Sequence, residues 1–511
     1  MTPDAFQVAA SWLRRYTDCI HSGDLPGLVS CFHPEGYLRD ILIFTWNTRC
    51  LNGHENIAAY LIDTLPAAAL TELQLDNRPG LTPEFGGFTV QLGPGKSEPA
   101  VSAGFTFLCK QGLGRGYFSL LLSDTGEWTA LTVLMALAEL QGHEEVLQDE
   151  GIYGGHTLAW SDVVREQREA VEKDPYVLIV GGGQTGLNVA AQFKQMKIKS
   201  LVIEKNQNLG DNWRKRYPTL SLHSPKASST MLYQSFPRNW PVFAPRDKMA
   251  DWLQQYARLQ DIVVWTNSRL LPTPTYDDVS KRWTLIIDRN GSLVTLHPAH
   301  IIVAAGALGA AYIPSIGGSE SFRGTTVHST EYQGGGLFAG KRVIVVGAGN
   351  SAADICQDLC FNGAQSVTMI QRSGTTVVGI SSARAILEYL WPDTLPTEVA
   401  DFIVMAKPLG LMKRMEKATE AQVSERERET HTGLAEAGFN LITGKGLFSL
   451  FYEAYGGYCI GCFIGVDVGC AELIRSGQVR IKQGVEISGF AEDLVIFTDG
   501  SSLKTDVVIY A

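Results

Sequence analysis

Apolar residues recur at helical spacing over residues 4–22, where Phe6, Ala9, Trp12, Leu13, Tyr16 and Ile20 share one face. Ser22-Gly23-Asp24 breaks that pattern, and Leu25–Phe32 reads as a second short helix. Tyr37–Phe44 reads as a strand, and Gly53-His54-Glu55-Asn56-Ile57 opens a third helix that runs through Leu65. Apolar runs at about 101–110, 114–123 and 128–140 are spaced for an antiparallel meander. Helices first and strands after predict an α+β layer over residues 1–145, with helices on one face of a curved sheet.

The pattern then changes. Residues 146–173 are rich in charge, with a glycine break at Gly151–Gly155 and one expected helix near 161–172, and read as a linker. From residue 174 the pattern is α/β and repeats itself. Each half opens with an apolar strand, a glycine turn and a helix, and each closes with a meander and an apolar strand. The closing strands are His300–Gly306 in one half and Asp506–Ala511 in the other. The repeat predicts two Rossmann-type units, at 174–335 and 336–511.

The two glycine turns carry the chemistry. Tyr176–Val180 is followed by Gly181-Gly182-Gly183-Gln184-Thr185-Gly186 and a helix, the G-x-G-x-x-G pattern in its strand–turn–helix setting. Gly181 permits the tight turn, Gly183 lets backbone approach a pyrophosphate, and Gly186 lets helix and strand pack closely. The helix start, with Gln184 and Thr185, then offers unpaired N–H groups to phosphate. The next strand, Ser200–Ile203, ends at Glu204, placed to accept ribose hydroxyls and to repel a 2′-phosphate; FAD or NAD is favoured there over NADP. The second turn, Gly347-Ala348-Gly349-Asn350-Ser351-Ala352, has the G-x-G-x-x-A form. Its next strand ends in Gln371-Arg372-Ser373, with no carboxylate. Arg372 and Ser373 suit a 2′-phosphate, so NADPH is expected here, the plain alternative being a solvated arginine at a strand end. Opposite charge signatures in the two cradles imply electron flow from NADPH to a flavin.

Composition removes other classes. The 511 residues carry a net charge of −10, which argues against nucleic acid and anionic membranes as partners. No apolar run reaches the length of a membrane span, no secretory leader is visible, and nine cysteines show no disulfide framework, so a reducing cytoplasm is expected. Cys459-Ile460-Gly461-Cys462 stands without a second pair or a nearby histidine, and no metal site is expected.

Two resemblances extend this reading. Tyr37–Trp46, Leu51-Asn52-Gly53-His54 and Arg115-Gly116-Tyr117 resemble the NTF2-like (SnoaL-like) cone, a fold used for catalysis, pockets or dimers; a homodimer through this domain is an expectation of that kind. Asp40 and His54 would be its acid–base candidates, though a structural role suits them better. Over 174–511 the chain resembles the flavin-containing monooxygenases, including their plant auxin-forming branch. Leu209-Gly210-Asp211-Asn212-Trp213 with Arg216-Tyr217-Pro218 matches the segment that lines the flavin, which puts Gly210 and Trp213 in the FAD site. Leu220–Pro225 matches the stretch that reaches the flavin ring. His223 there would hydrogen-bond flavin or oxygen intermediates, or be a structural histidine. Phe322-Arg323-Gly324, His328 and Tyr332-Gln333 match the family fingerprint except at Gln333. The resemblance places His328 at a hinge, as a structural or gating residue rather than an acid–base catalyst.

The family implies FAD and NADPH as cofactors, with O2 and a small organic substrate as reactants. One oxygen atom would pass from a C4a-hydroperoxyflavin to nitrogen or sulfur, or into a related secondary metabolite, with His223 and His328 as the candidate catalytic side chains. Two features depart from the family: the chain stops at Ala511, inside the usual closing motif, and Tyr458–Asp467 reads as an insertion. A truncated homologue acting as a nucleotide-binding or oligomerisation protein is therefore the alternative. A disulfide reductase using Cys459 and Cys462 is a third reading, against which their late position speaks.

Overall fold

The computed structural model describes every residue except 1–3, 87–89, 94, 95, 99, 124, 307, 308 and 444–463. Cys459, Cys462 and most of the 458–467 segment thus lie outside the described residues. Among those described, the chain forms two compact units, one of residues 4–144 and 386–423, the other of 145–385, 424–443 and 464–511.

The first unit is α+β. Its opening helix, Ala5–Ser22, starts at Asp4, whose carboxylate accepts from the Phe6 N–H, and ends at Gly23, whose φ of 70° turns the chain out of the helix. A short helix, Leu25–Ser30, and a longer one, Gly53–Ala68, follow on either side of a strand, Phe32–Ile41. The meander is present as Ala100–Cys109, Gly112–Leu122 and Trp128–Leu140, paired antiparallel. Phe32–Ile41 joins it parallel to Trp128–Leu140, within a sheet of seven strands. One sheet face meets the helices through Trp12, Tyr16, Phe32, Phe105, Phe107 and Phe118, all nearly or fully buried. Each such side chain contributes roughly 1.5–3 kcal/mol.

The other sheet face is covered by segments far along the chain. Helix Thr397–Met405 sets Val399 and Phe402 against Tyr117, Leu134 and Ala136. Helix Leu409–Glu436 sets Leu411 against Tyr37, Leu121 and Leu131. Polar contacts fasten this layer. Arg39 donates to the Met405 carbonyl at 2.7 Å, Arg414 pairs with Glu35 at 2.9 Å, and the Arg115 guanidinium lies 4.6 Å from the Phe402 ring centre. A homodimer through this unit would have to use another surface.

The second unit holds two parallel sheets of like order. In the first, Val264–Trp265, Ser200–Ile203, Val177–Val180 and His300–Val303 lie side by side. In the second, Val479–Gln483, Ser366–Gln371, Arg342–Val346 and Val507–Tyr510 repeat that order, and Thr325–His328 is added beyond Val507–Tyr510. The fold class read from the sequence is therefore seen: mixed α/β with Rossmann-like parallel sheets. Two segments cross the boundaries expected at 335 and 145. Thr325–His328, read with the first half, hydrogen-bonds into the second sheet, and 386–423, read with the second half, packs with the N-terminal unit. Backbone pairing and apolar burial decide both, and neither is a local property of the chain.

Candidate functional site

In the first cradle, strand Val177–Val180 leads through Gly181–Gly183 into helix Gln184–Gln195. Gly181 has a φ of 116°, and a Cβ there would lie 2.4 Å from the Ala304 carbonyl oxygen. That carbonyl follows the closing strand, where the Ala304 N–H donates to Val180 at 2.8 Å. At Gly186 a Cβ would come within 1.9 Å of the Gly181 carbonyl, so the helix can sit on the turn only without a side chain. Gly183 differs: a Cβ there would meet only Asn212 Nδ2, at 3.8 Å. Its side of the turn is open, and no side chain caps the helix that it begins. An open glycine face at an uncapped 12-residue helix suits a pyrophosphate. Thr185 is exposed in the first turn, and Gln184 Oε1 accepts from the Trp213 indole N–H at 3.4 Å, which ties Trp213 to the cradle.

Glu204 is 8% exposed and its carboxylate is held at three points. Oε2 accepts from the Gly182 N–H at 3.0 Å; Oε1 accepts from the Asn206 N–H at 2.8 Å and from its side chain at 2.7 Å. The carboxylate is thus aimed by the cradle itself. Gly210 has a φ of 85° and would press a Cβ to 2.3 Å from the Ala250 carbonyl, so its requirement is backbone packing at the start of helix Asp211–Arg214.

The second cradle repeats the geometry. Gly347 has a φ of 127°, its Cβ would lie 2.3 Å from the Ala511 carbonyl, and the Ala511 N–H donates to Val346 at 2.9 Å. Gly349 begins the 12-residue helix Asn350–Phe361, again without a side-chain cap. Ala352, fully buried, packs at the turn where the first cradle has Gly186. The Asn350 side chain is turned aside, since its oxygen accepts from the Val466 N–H at 2.8 Å.

Strand register shows which residue stands where Glu204 stands in the first cradle. Val180 is level with Ile203, and the Gly181 N–H donates to that same residue; Val346 is level with Ile370, and the Gly347 N–H donates there. The following residues, Glu204 and Gln371, are therefore equivalent. Gln371 is fully buried and neutral; its amide donates to Thr375 and to the Asn440 carbonyl, and its oxygen accepts from the Asn440 N–H. Arg372, one residue on, is exposed and pairs with Glu486 at 3.1 Å, and Ser373 is exposed beside it.

The remaining candidates sit where the two halves meet. His223 is partly buried, with Nε2 3.6 Å from Asp354 of the second helix. Tyr217 donates to the same carboxylate at 2.7 Å. Burial first, then Asp354, push the Tyr217 phenol far above its usual range, so it stays protonated. Tyr332 is fully buried and donates to Asp358 at 2.7 Å, while the Gly335 N–H donates to the same oxygen at 2.7 Å. His328 Nδ1 accepts from the Thr330 N–H at 3.1 Å, which fixes the turn after its strand. Phe322 packs on Phe490 with ring centres 5.0 Å apart, and a Cβ at Gly324 would strike the Phe322 ring. Asp354 and Asp358 were not singled out in the sequence; the signal available was two carboxylates one helical turn apart just after a glycine cradle.

The N-terminal candidates are structural. Asp40 is fully buried, accepting from the Ile43 and Phe44 N–H groups and from the Tyr60 hydroxyl at 2.8 Å. His54 Nε2 lies 2.9 Å from the Phe32 carbonyl. No described helix is long and apolar enough to cross a membrane.

Residues 178–396 match the family model described as pyridine nucleotide-disulphide oxidoreductase. Among known proteins, the chain is similar to indole-3-pyruvate monooxygenase YUCCA8 of Oryza sativa subsp. indica, with 30% identity over 347 residues, 65% of this chain and 74% of the relative. It is also similar to probable indole-3-pyruvate monooxygenase YUCCA10 of Arabidopsis thaliana, with 26% identity over 66% of this chain and 80% of the relative. Among solved structures it is similar to a flavin-containing monooxygenase from Stenotrophomonas maltophilia, with 19% identity, 66% of this chain and 77% of that chain covered, and a TM-score of 0.43. A structure of OTEMO described as a complex with FAD and NADP has 20% identity over 66% of this chain and 71% of that chain, with a TM-score of 0.48. On the strength of the curated relatives, the chain belongs to the flavin-dependent monooxygenase family that includes the plant indole-3-pyruvate monooxygenases.

Proposed function

We propose that the chain is an FAD- and NADPH-dependent monooxygenase that inserts one oxygen atom of O2 into a small organic substrate. One observation carries this reading. Two cradles of the same backbone geometry present a buried carboxylate, Glu204, in the first, and a buried neutral amide followed by an arginine, Gln371-Arg372, in the second. The first suits an adenosine with free ribose hydroxyls; the second suits one that carries a 2′-phosphate. The half built on the first parallel sheet would then hold FAD and the half built on the second NADPH, with Gly183 and Glu204 on the first nucleotide and Gly349, Ser351, Arg372 and Ser373 on the second.

When bound, NADPH supplies two electrons to the flavin, and the reduced flavin activates O2, one oxygen going to substrate and the other to water. The protein supplies position and shelter. The uncapped helix starts would hold phosphate, Trp213 is tied to the first helix start through Gln184, and His223 is a polar side chain of the segment expected beside the flavin. The relatives' names make an aromatic 2-oxo acid such as indole-3-pyruvate the first substrate to test, with lipophilic amines and sulfides beside it. Residues 1–145 we read as an NTF2-like domain in which Asp40 is structural, since its carboxylate is taken up by backbone and Tyr60.

The visible spectrum of the purified protein, followed by anaerobic addition of NADPH, tests the reading. A bound flavin that NADPH bleaches and O2 restores supports it. A colourless protein that takes up no FAD overturns it in favour of a non-catalytic homologue.

A further inference from the structure

Helix Asn350–Phe361, whose start is the second cradle, carries Asp354 and Asp358 one turn apart. Each grips a tyrosine from an earlier part of the chain. Asp358 takes the Tyr332 hydroxyl and the Gly335 N–H, both at 2.7 Å, and its other oxygen accepts from Asn362 at 2.9 Å. Asp354 takes the Tyr217 hydroxyl at 2.7 Å and stands 3.6 Å from His223 Nε2. The two tyrosine rings meet edge to face with centres 6.1 Å apart, and neither is more than 1% exposed. Arg216 lies over the Tyr217 ring at 5.7 Å.

The two grips differ in what they hold. Tyr332 and Gly335 belong to the passage into the second half, and Tyr332 lies in that half's apolar core with Val343, Ile355 and Tyr217 itself. Tyr217 and His223 belong to the segment that follows the first cradle, and Trp213 of that segment touches Gln184 in the cradle itself. One carboxylate, a single turn below the start of the second helix, thus takes the Tyr217 hydroxyl of the first half and faces His223 beside it. Sliding one half against the other breaks the Tyr217 bond and separates His223 from the carboxylate 3.6 Å from its Nε2.

We propose that Asp354 is a positioning residue: by holding Tyr217 beside His223 it sets the register between the two nucleotide sites, so that the nicotinamide end of one ligand meets the flavin of the other. The inference rests on the function proposed above. It concerns geometry rather than affinity, because none of the three side chains lies in a glycine turn.

The test is anaerobic reduction of the bound flavin by NADPH, alongside hydrogen exchange of the protein without nicotinamide. Asp354→Ala is expected to slow reduction about tenfold or more while half-saturating NADPH stays within about threefold. Exchange should rise in both 213–225 and 350–361, two segments far apart in sequence. Asp354→Asn, which still accepts from Tyr217, should restore most of the rate, and Tyr217→Phe should reproduce the loss if Asp354→Ala does not fold. Unchanged reduction overturns the inference. So does a rise in exchange confined to 350–361 with rate and half-saturation worsening together, since that marks a purely local defect. A wild type whose flavin NADPH fails to reduce overturns the proposed function and this inference with it, whereas a competent wild type beside an unaffected variant overturns this inference alone.

Discussion

The hydroxyl of Tyr217 donates to Asp354 at 2.7 Å across 137 positions of sequence, and it joins the two nucleotide-binding halves at a buried point. A buried hydrogen bond to a charged acceptor contributes about 1.5–3 kcal/mol. Tyr217→Phe is expected to lower stability by about 1–2 kcal/mol, because Asp354 keeps His223 nearby. Urea unfolding followed by fluorescence checks this, and a shift under about 0.3 kcal/mol would show the bond to be idle.

Glu204 satisfies three donors within the first cradle. Glu204→Ala leaves them unpaired in a buried place and removes the carboxylate proposed to accept from ribose hydroxyls. The expected result is loss of flavin absorption from the purified protein, together with about 2–4 kcal/mol of stability. Glu204→Gln, which keeps one acceptor oxygen, should retain part of both. Full flavin content in the alanine variant would place the first nucleotide elsewhere.

Arg372→Ala should lower kcat/KM for NADPH about tenfold or more and leave NADH little changed. The Glu486 carboxylate competes for the same guanidinium at 3.1 Å, so Glu486→Gln should improve NADPH selectivity. Gln371→Glu, which puts a carboxylate where Glu204 stands in the first cradle, should move preference toward NADH. Selectivity unaltered in Arg372→Ala would remove the 2′-phosphate from this position.

Phe402 is 6% exposed, lies against Tyr117 in edge-to-face contact and carries the Arg115 guanidinium on its face. Phe402→Ala should cost about 3–5 kcal/mol. For the same reason residues 1–145 expressed alone should aggregate, since Tyr37, Tyr117, Leu131 and Leu134 would face water. Light scattering of that fragment is the check; a soluble, monomeric fragment would show the covering helices to be dispensable.

Asp506 ties the closing strand to the second cradle's strand through a two-pronged contact with Arg342, at 2.7 and 3.1 Å, and a bond from the Arg342 N–H. Arg342 holds the Asp506 carboxyl down at about 2. A depressed folded pKa stabilises above the unfolded value and is lost as pH falls through the folded one. Asp506→Asn should therefore be less stable than wild type at pH 7, by about 1 kcal/mol given its partial exposure. That gap should close between roughly pH 4 and 2. A gap constant over that range, measured by thermal unfolding, would show the stabilisation to be independent of the carboxylate's charge.

Features with a short repeat were legible in the sequence. Apolar spacing gave away helix Ala5–Ser22, the three meander strands and both strand–glycine–helix cradles, and Glu204 and Arg372 stood out because a cradle fixes where the next strand must end. The strand Thr48–Asn52 and the helices Ile380–Leu390, Thr397–Met405 and Leu409–Glu436 were not read. One signal for the last two was present: Trp128–Leu140 is apolar at nearly every position instead of alternating, the mark of a strand buried on both faces. What covered the second face, however, lay more than 250 residues away, and nothing local names a partner at that distance.

Local backbone chemistry thus determined the two cradles, their charge signatures and the α/β class, because a glycine turn and a strand end are set by residues within about 30 positions. Only the tertiary structure decided that Gln371 is the counterpart of Glu204, that Gly210 serves packing, and that Asp354 takes the Tyr217 hydroxyl beside His223. Those relations depend on strand register and on carboxylates meeting donors across long loops, where the free energy is in burial and geometry rather than in sequence spacing.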